Sequence, residues 1–216
     1  MNSLTTPPLS TFLAKLFADA EETTALRKRT ATPQQRADAA KQTDYKVLYT
    51  ELKDFHIAVS PETGSLLYML ARSSRAKSIV EFGTSFAIST LHMAAALRDN
   101  GGGRLITSEF IPSKVAAARQ NIAQAGLSDL VDVREGDALE TLARDLPDTI
   151  DLVLLDGAKP LYPKVLALLE SRLRTGSFVL ADNADWCPEY LAYVRSTSNG
   201  YLSVPFGDDV EMSMRL

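Results

Sequence analysis

Cysteine is almost absent from this chain, with Cys187 alone among 216 residues. A single thiol excludes an intramolecular disulfide framework, so a packed core must hold the fold. Histidine is nearly as scarce, and His56 and His92 stand at unrelated positions that offer no zinc spacing. Any bound metal must therefore be held mostly by oxygen. Excess basic charge is missing too: the formal net charge is -4 and the pI about 5.3, which argues against a nucleic-acid or anionic-membrane partner. No apolar run approaches the roughly 20 residues that span a bilayer, and the opening "MNSLTTPPLS" lacks the charged and apolar regions of a signal peptide. A cytoplasmic protein is expected, with no membrane partner. Repeats, low-complexity tracts and long linkers are also missing, and the length suits one α/β domain.

What is present divides into a helical opening and an alternating remainder. "LSTFLAKLFADAEE" places Leu9, Phe12, Leu13, Leu16 and Phe17 on one helical stripe, a face that predicts either a cap on the active site or a contact with a second subunit. "PQQRADAAKQTDYKVLYTELKDF" predicts a second, more polar helix. "SPETGSLLYMLARSS" predicts a third, with Ser60 as N-cap and Pro61 at the first helical position. From residue 78, short β-rich runs alternate with helical patterns: "SIVEF", "RLITSEF", "LVDVRE", "IDLVLLD" and "SFVLAD". Such alternation predicts a parallel sheet with helices on both faces. At the end, "YLSVPF" and "VEMSMRL" are joined through "GDD", which predicts a hairpin and an antiparallel last strand.

In open α/β sheets, ligands bind beyond the carboxyl ends of the strands. The residues closing each run are therefore the candidates. Glu81 and Gly83 end the first, where glycine lets backbone approach a ligand, Ser89 offers a hydroxyl and a helix N-terminus attracts anionic groups. The glycine pattern is incomplete, because Gly83 is followed by Ala87 rather than by a full G-x-G-x-x-G. Glu109 ends the second run, a little beyond the spacing of about 20 residues at which an acid accepts from ribose hydroxyls. It is otherwise a solvated strand end. Phe110 beside it could pack on an adenine. Asp137, in "EGDA", either accepts from an adenine amino group or caps the next helix, and the two roles are compatible.

The fourth and fifth runs end at Asp156 and Asp182, the latter followed by Asn183. If those strands are neighbours, their ends lie about 4.8 Å apart. Three side-chain oxygens then converge, at a cost, because close carboxylates repel unless one takes up a proton or a cation binds. Such oxygen donors suit a hard ion, Mg2+ or else Mn2+ or Ca2+.

In order and spacing these residues resemble the cation-dependent, S-adenosylmethionine-dependent class I O-methyltransferases, the group containing the catechol and caffeoyl-CoA enzymes. The resemblance runs from about residue 56 to the end and rests on "VEFGTSFAIS", "RLITSEFIPSKVAAARQNIAQAG", "EGDA", "LLDGAKPLY" with its Asp-x-x-Lys-x-x-Tyr spacing, and "LADN". It implies a Rossmann-like fold, a mostly parallel seven-stranded sheet with an antiparallel last strand. Residues 1–55 would form a helical cap and residues 56–216 the cofactor-binding core. It further implies S-adenosylmethionine held by Val59, Glu81, Gly83, Ser89, Glu109, Phe110, Asp137, Ala138 and Asp156. Asp156, Asp182 and Asn183 would bind Mg2+, Lys159 would be the general base, and the enzyme would act on a small phenolic substrate as a homodimer.

The implied chemistry suits those residue types. Methyl transfer to a phenolic oxygen needs an oxyanion, yet a free phenol has a pKa of about 10. A cation bound to both hydroxyls of a catechol orients them and lowers that pKa, and a lysine beside it, itself depressed, takes the proton. Two departures stand out. Ala87 replaces the second glycine of the cofactor loop, and Gly157 and Ala158 replace the His-Trp pair of the catechol enzyme, which would leave the adenine side more open. Asp208 and Asp209 either border the substrate site or make the terminal turn, with the turn the favoured reading, and Trp186 either shields an aromatic substrate or packs ordinarily. The competing readings are a nicotinamide-dependent oxidoreductase, motivated by the glycine turn and Glu109, and a non-catalytic cofactor-binding module.

Overall fold

The computed structural model describes residues 2–30, 32 and 44–216. Much of the expected second helix falls on 33–43, outside the described residues. Helix α1 spans Leu9–Thr30, eight residues past the expected end, and buries Leu9, Leu13, Leu16 and Ala20. Helix α2 is Tyr45–Glu51, opened by the Asp44 carboxylate accepting from the Lys46 amide. Helix α3 is Pro61–Ser73, and Ser60 caps it by accepting from the Thr63 amide at 3.0 Å, as its sequence predicts.

Seven strands form one sheet: β1 Ser78–Phe82, β2 Arg104–Glu109, β3 Val131–Glu135, β4 Ile150–Leu155, β5 Leu173–Ala181, β6 Tyr201–Phe206 and β7 Val210–Arg215. Their order is β3-β2-β1-β4-β5-β7-β6. The first five are parallel, and β7 runs antiparallel to both β5 and β6, as the terminal hairpin predicts. Order reverses between β1 and β4, so a crevice opens there above the carboxyl ends. This is the Rossmann-like arrangement expected from the sequence.

Alternation along the strands divides the core into two. On one face Ile79, Leu105, Leu152 and Leu180 pack with α1, α3, α4 (Ile88–Asp99) and α5 (Pro112–Gln124). On the other, Val80, Ile106, Val153 and Val179 pack with α6 (Ala138–Thr141), α7 (Tyr162–Leu169) and α8 (Pro188–Val194). Each leucine buried this way contributes about 1.5–3 kcal/mol. The stripe of α1 thus packs on the chain's own core, against α4, with Phe12 and Phe17 only partly buried.

Central β4 is buried on both faces, which explains why "IDLVLL" reads as a nearly continuous apolar run. Its one acid, Asp151, sits at the opposite edge from the crevice, accepting from the Lys77 and Ser78 amides and pairing with Arg174. Helix α6 is a single turn, shorter than "ALETLARD" suggests. Among the described residues, no helix is long and apolar enough to cross a membrane.

Candidate active site

Two adjoining cavities lie over the carboxyl edge. The larger encloses about 650 Å3 of space that is partly open to solvent, and Gly83, Glu109, Phe110, Asp137, Ala138 and Asp156 line it. The smaller, about 240 Å3, is lined by Val59 and Ser89 and shares Gly83 and Asp156 with the first. Predicted site residues from four separate loops thus meet in one crevice. Glu81 faces neither cavity. It is fully buried beneath them, accepting from the Ser89 and Thr90 hydroxyls at 2.5 and 2.6 Å, and burial pushes it up to about 7. Its role in this structure is to hold the first turn of α4, and the Ser89 hydroxyl points inward to it.

The cofactor loop shows what its glycine is for. Gly83 has φ +105, and a Cβ there would stand 2.6 Å from the carbonyl oxygen of Asp156. The end of β4 therefore demands glycine whether or not a ligand approaches. Ala87 occupies the left-handed region, φ 69 and ψ 22, where the related loop has glycine. The loop geometry is kept, at a cost of about 1–2 kcal/mol for an L-residue.

Glu109 accepts from the Ser85 and Ile111 amides, one through each carboxylate oxygen, both at 2.8 Å, which fixes the carboxylate at the cavity wall with lone pairs to spare. Asp137 takes the capping role, Oδ1 accepting from the Leu139 amide at the start of α6, and its Oδ2, on a residue of the cavity wall, lies 3.4 Å from Lys46 Nζ. The same lysine sits 5.6 Å from the Phe110 ring centre. Helix α2 thus reaches across to both residues assigned to adenine.

Three further wall residues, Tyr49, Lys114 and His56, escaped the reading of strand ends, and so did Lys46, which lines neither cavity. Lys46 and Tyr49 come from α2. Tyr49 donates to the Gly157 carbonyl at 3.2 Å, and burial raises its phenol. Lys114, in the first turn of α5, is buried and its ammonium is lowered by desolvation. His56 stacks on Phe86 at 3.6 Å, and its buried Nδ1 has no partner in the structure. A sequence signal existed for α2 only, where Tyr45 and Tyr49 stand four apart in a polar stretch. Gly157 packs directly against β1: a Cβ there would overlap the Phe82 ring.

Lys159, Asp182 and Asn183 stand outside both cavity walls and join them through Asp156. The register of β4 and β5 pairs Leu155 with Ala181, so Asp156 and Asp182 leave neighbouring strands side by side. Tyr162, the last residue of the Asp-x-x-Lys-x-x-Tyr motif, ties the two ends together by donating to the Asp182 carbonyl at 2.7 Å. Lys159 Nζ lies 3.1 Å from Asp156 Oδ1, with both side chains about nine-tenths buried. Burial, with Asp156 as neighbour, pushes Asp182 up to about 8, offset in part by Lys159. Burial also works to lower Lys159, but Asp156, Tyr49 and Asp182 outweigh it and raise the ammonium above its ordinary value. The depression expected from the sequence is that of a lysine beside a bound cation; without one, the Asp156 carboxylate holds the ammonium up. Two crowded carboxylates, one carboxamide and no sulfur or imidazole fit a hard dication. Among the described residues no cluster of three or more acidic, histidine or cysteine side chains could hold a metal.

Sheet order, antiparallel last strand and a crevice at the β1/β4 switch define a Rossmann-like methyltransferase fold. An O-methyltransferase from Bacillus cereus, solved in complex with SAH, shares it with a TM-score of 0.69 and 21% identity, over 93% of this chain and 100% of that one. The sequence model of the O-methyltransferase family matches residues 39–200, and the chain belongs to that family. Catechol O-methyltransferase of Niastella koreensis is 38% identical over 130 residues, 59% of this chain and 58% of that protein. Catechol O-methyltransferase B of Danio rerio is 35% identical over 167 residues, 74% and 62% of the two chains. The matches thus span about three fifths of these curated relatives.

Proposed function

We propose that the protein is an S-adenosylmethionine-dependent O-methyltransferase that methylates one hydroxyl of a catechol-like, vicinal dihydroxy aromatic with the help of a divalent cation, Mg2+ first. Family membership sets aside the oxidoreductase reading. The observation that carries the finer reading is the pairing of Asp156 with Lys159 beside Asp182, at the rim of the cavity that Glu109 and Asp137 line.

Asp156, Asp182 and Asn183 would hold the cation, whose charge would lower the pKa of the substrate hydroxyls. Glu109 anchors the ribose, with its carboxylate already oriented by two amides. Phe110 and Asp137 address the adenine. The apolar wall formed by Phe82, Ala158 and Leu161 excludes water from the reacting methyl. Lys159 accepts the substrate proton at Nζ only when the Asp156 charge is engaged elsewhere, because that charge now raises it. A homodimer belongs to the same proposal, supported by Leu202 and Val204, which are exposed on the edge strand β6.

The test is methylation of a catechol panel with S-adenosylmethionine, in Mg2+ or in EDTA, preceded by calorimetry with the cofactor. Metal-dependent transfer to one hydroxyl is expected. Activity untouched by thorough chelation would remove the cation, and cofactor binding without transfer to any dihydroxy aromatic would leave only a binding module. Light scattering reads the oligomeric state.

A further inference from the structure

The segment between β6 and β7, residues 207–209, reads in the sequence foremost as a turn. In the structure one of its acids reaches the candidate cation site. Strands β5 and β7 pair antiparallel with Ala181 opposite Glu211, and continuing that register two residues along each chain sets Asn183 opposite Asp209. Two hydrogen bonds close the pair: the Ala184 amide donates to the Asp209 carbonyl at 3.0 Å, and Asn183 Nδ2 donates to Asp209 Oδ2 at 2.7 Å.

The second bond has a chemical consequence. A carboxamide can present either its oxygen or its NH2, and only the oxygen ligates a hard cation. A carboxylate can only accept, so it selects Nδ2 and turns Oδ1 away from itself. The Asn183 backbone is itself fixed in the left-handed region, φ 47 and ψ 44, which leaves the side chain few other placements. We propose that Asp209 is a positioning residue for the cation site, holding the Asn183 carboxamide in the one orientation that offers Oδ1 as a ligand. The inference rests on the cation reading above. It adds to that site a residue contributed by the terminal hairpin.

Mn2+ binding to the full chain, followed by electron paramagnetic resonance and calorimetry with SAH present, tests it without reference to turnover. The wild type is expected to bind Mn2+, and Asp209→Ala to bind it at least about tenfold more weakly, the range typical of partners that orient metal ligands, with SAH affinity unchanged. Asp209→Asn guards against a folding defect. Its carboxamide oxygen can still accept from Nδ2, so it should stay within about threefold of the wild type. In an Asn183→Ala background, Asp209→Ala should cause no further loss, because Asp209 acts through Asn183. Equal affinity of Asp209→Ala and wild type would overturn the inference, as would a full additional loss in the double variant, which would mean that Asp209 acts through its charge alone. A wild type that binds no Mn2+ would overturn the cation reading itself and this inference with it.

Discussion

The carboxyl edge of the sheet carries acids on both sides of the switch point, and the two sides treat them oppositely. On the β1–β2–β3 side each acid has its own hydrogen-bond donors: Glu81 has two hydroxyls, Glu109 two amides, and Asp137 an amide and Lys46. On the β4–β5–β7 side, Asp156, Asp182 and Asp209 crowd together, with Lys159 paired to the first. Individually satisfied acids suit neutral hydroxyl and amino groups of a nucleoside. Acids that share too little positive charge suit a cation.

That contrast can be broken most forcefully at its lysine. Lys159→Ala should cut turnover by about 10^3-fold or more while leaving SAH affinity as it was. Near-normal turnover in single-turnover assays would remove the lysine from the chemistry. Glu109→Gln should do the reverse, weakening the cofactor at least about tenfold by calorimetry with Mn2+ binding intact, since hydrogen bonds to a charged group are worth about 1.5–3 kcal/mol. Loss of both ligands together would mean that the two sides are not separable.

Stability against pH sharpens the comparison next. Glu81 rises from 4.5 to about 7 and Asp182 from 3.8 to about 8. Both folded-state values lie above the unfolded ones, so each contribution is complete below the unfolded value and is lost as pH rises through the folded one. Thermal melts without divalent metal should therefore fall from about pH 5 to pH 8. Glu81→Gln should flatten that slope only up to about pH 7, by at most about 3 kcal/mol, and Asp182→Asn should flatten it up to about pH 8, by a larger amount. Mg2+ should flatten only the Asp182 part, and an equal effect on both would contradict the division. Ala87→Gly should change least. Relief of the left-handed alanine is offset by the entropy of glycine and a lost buried methyl, so chemical denaturation should shift by less than about 1 kcal/mol.

Much of this was legible in the residues. Alternating runs predict the parallel sheet, and "GDD" between two apolar runs predicts the hairpin, because both signals are local. Strand-end acids were visible for the same reason, since a charge that closes an apolar run stands out. Helix α6 was overestimated because "ALETLARD" has helical composition, while the structure turns after Thr141. Strand β5 begins at Leu173, ahead of the expected Ser177, because pairing with Ile150 recruits residues that are not themselves β-rich. Lys46 and Lys114 left no comparable trace: their meaning depends on which loop each helix faces.

The sequence by itself determined the order of elements, the candidate acids at the strand ends and the oxygen-only character of any metal site, all of which follow from residue type and near-neighbour spacing. Tertiary structure alone decided which acids meet. The β4–β5 register brings Asp156 to Asp182, and the β5–β7 register sets Asp209 against Asn183. It also moved a ring from β1 into the place beside Gly157 and set Lys159 against the Asp156 carboxylate, which raises its ammonium. Charge and volume in a buried site are properties of the neighbours, and neighbours distant in the chain are chosen only when the sheet closes.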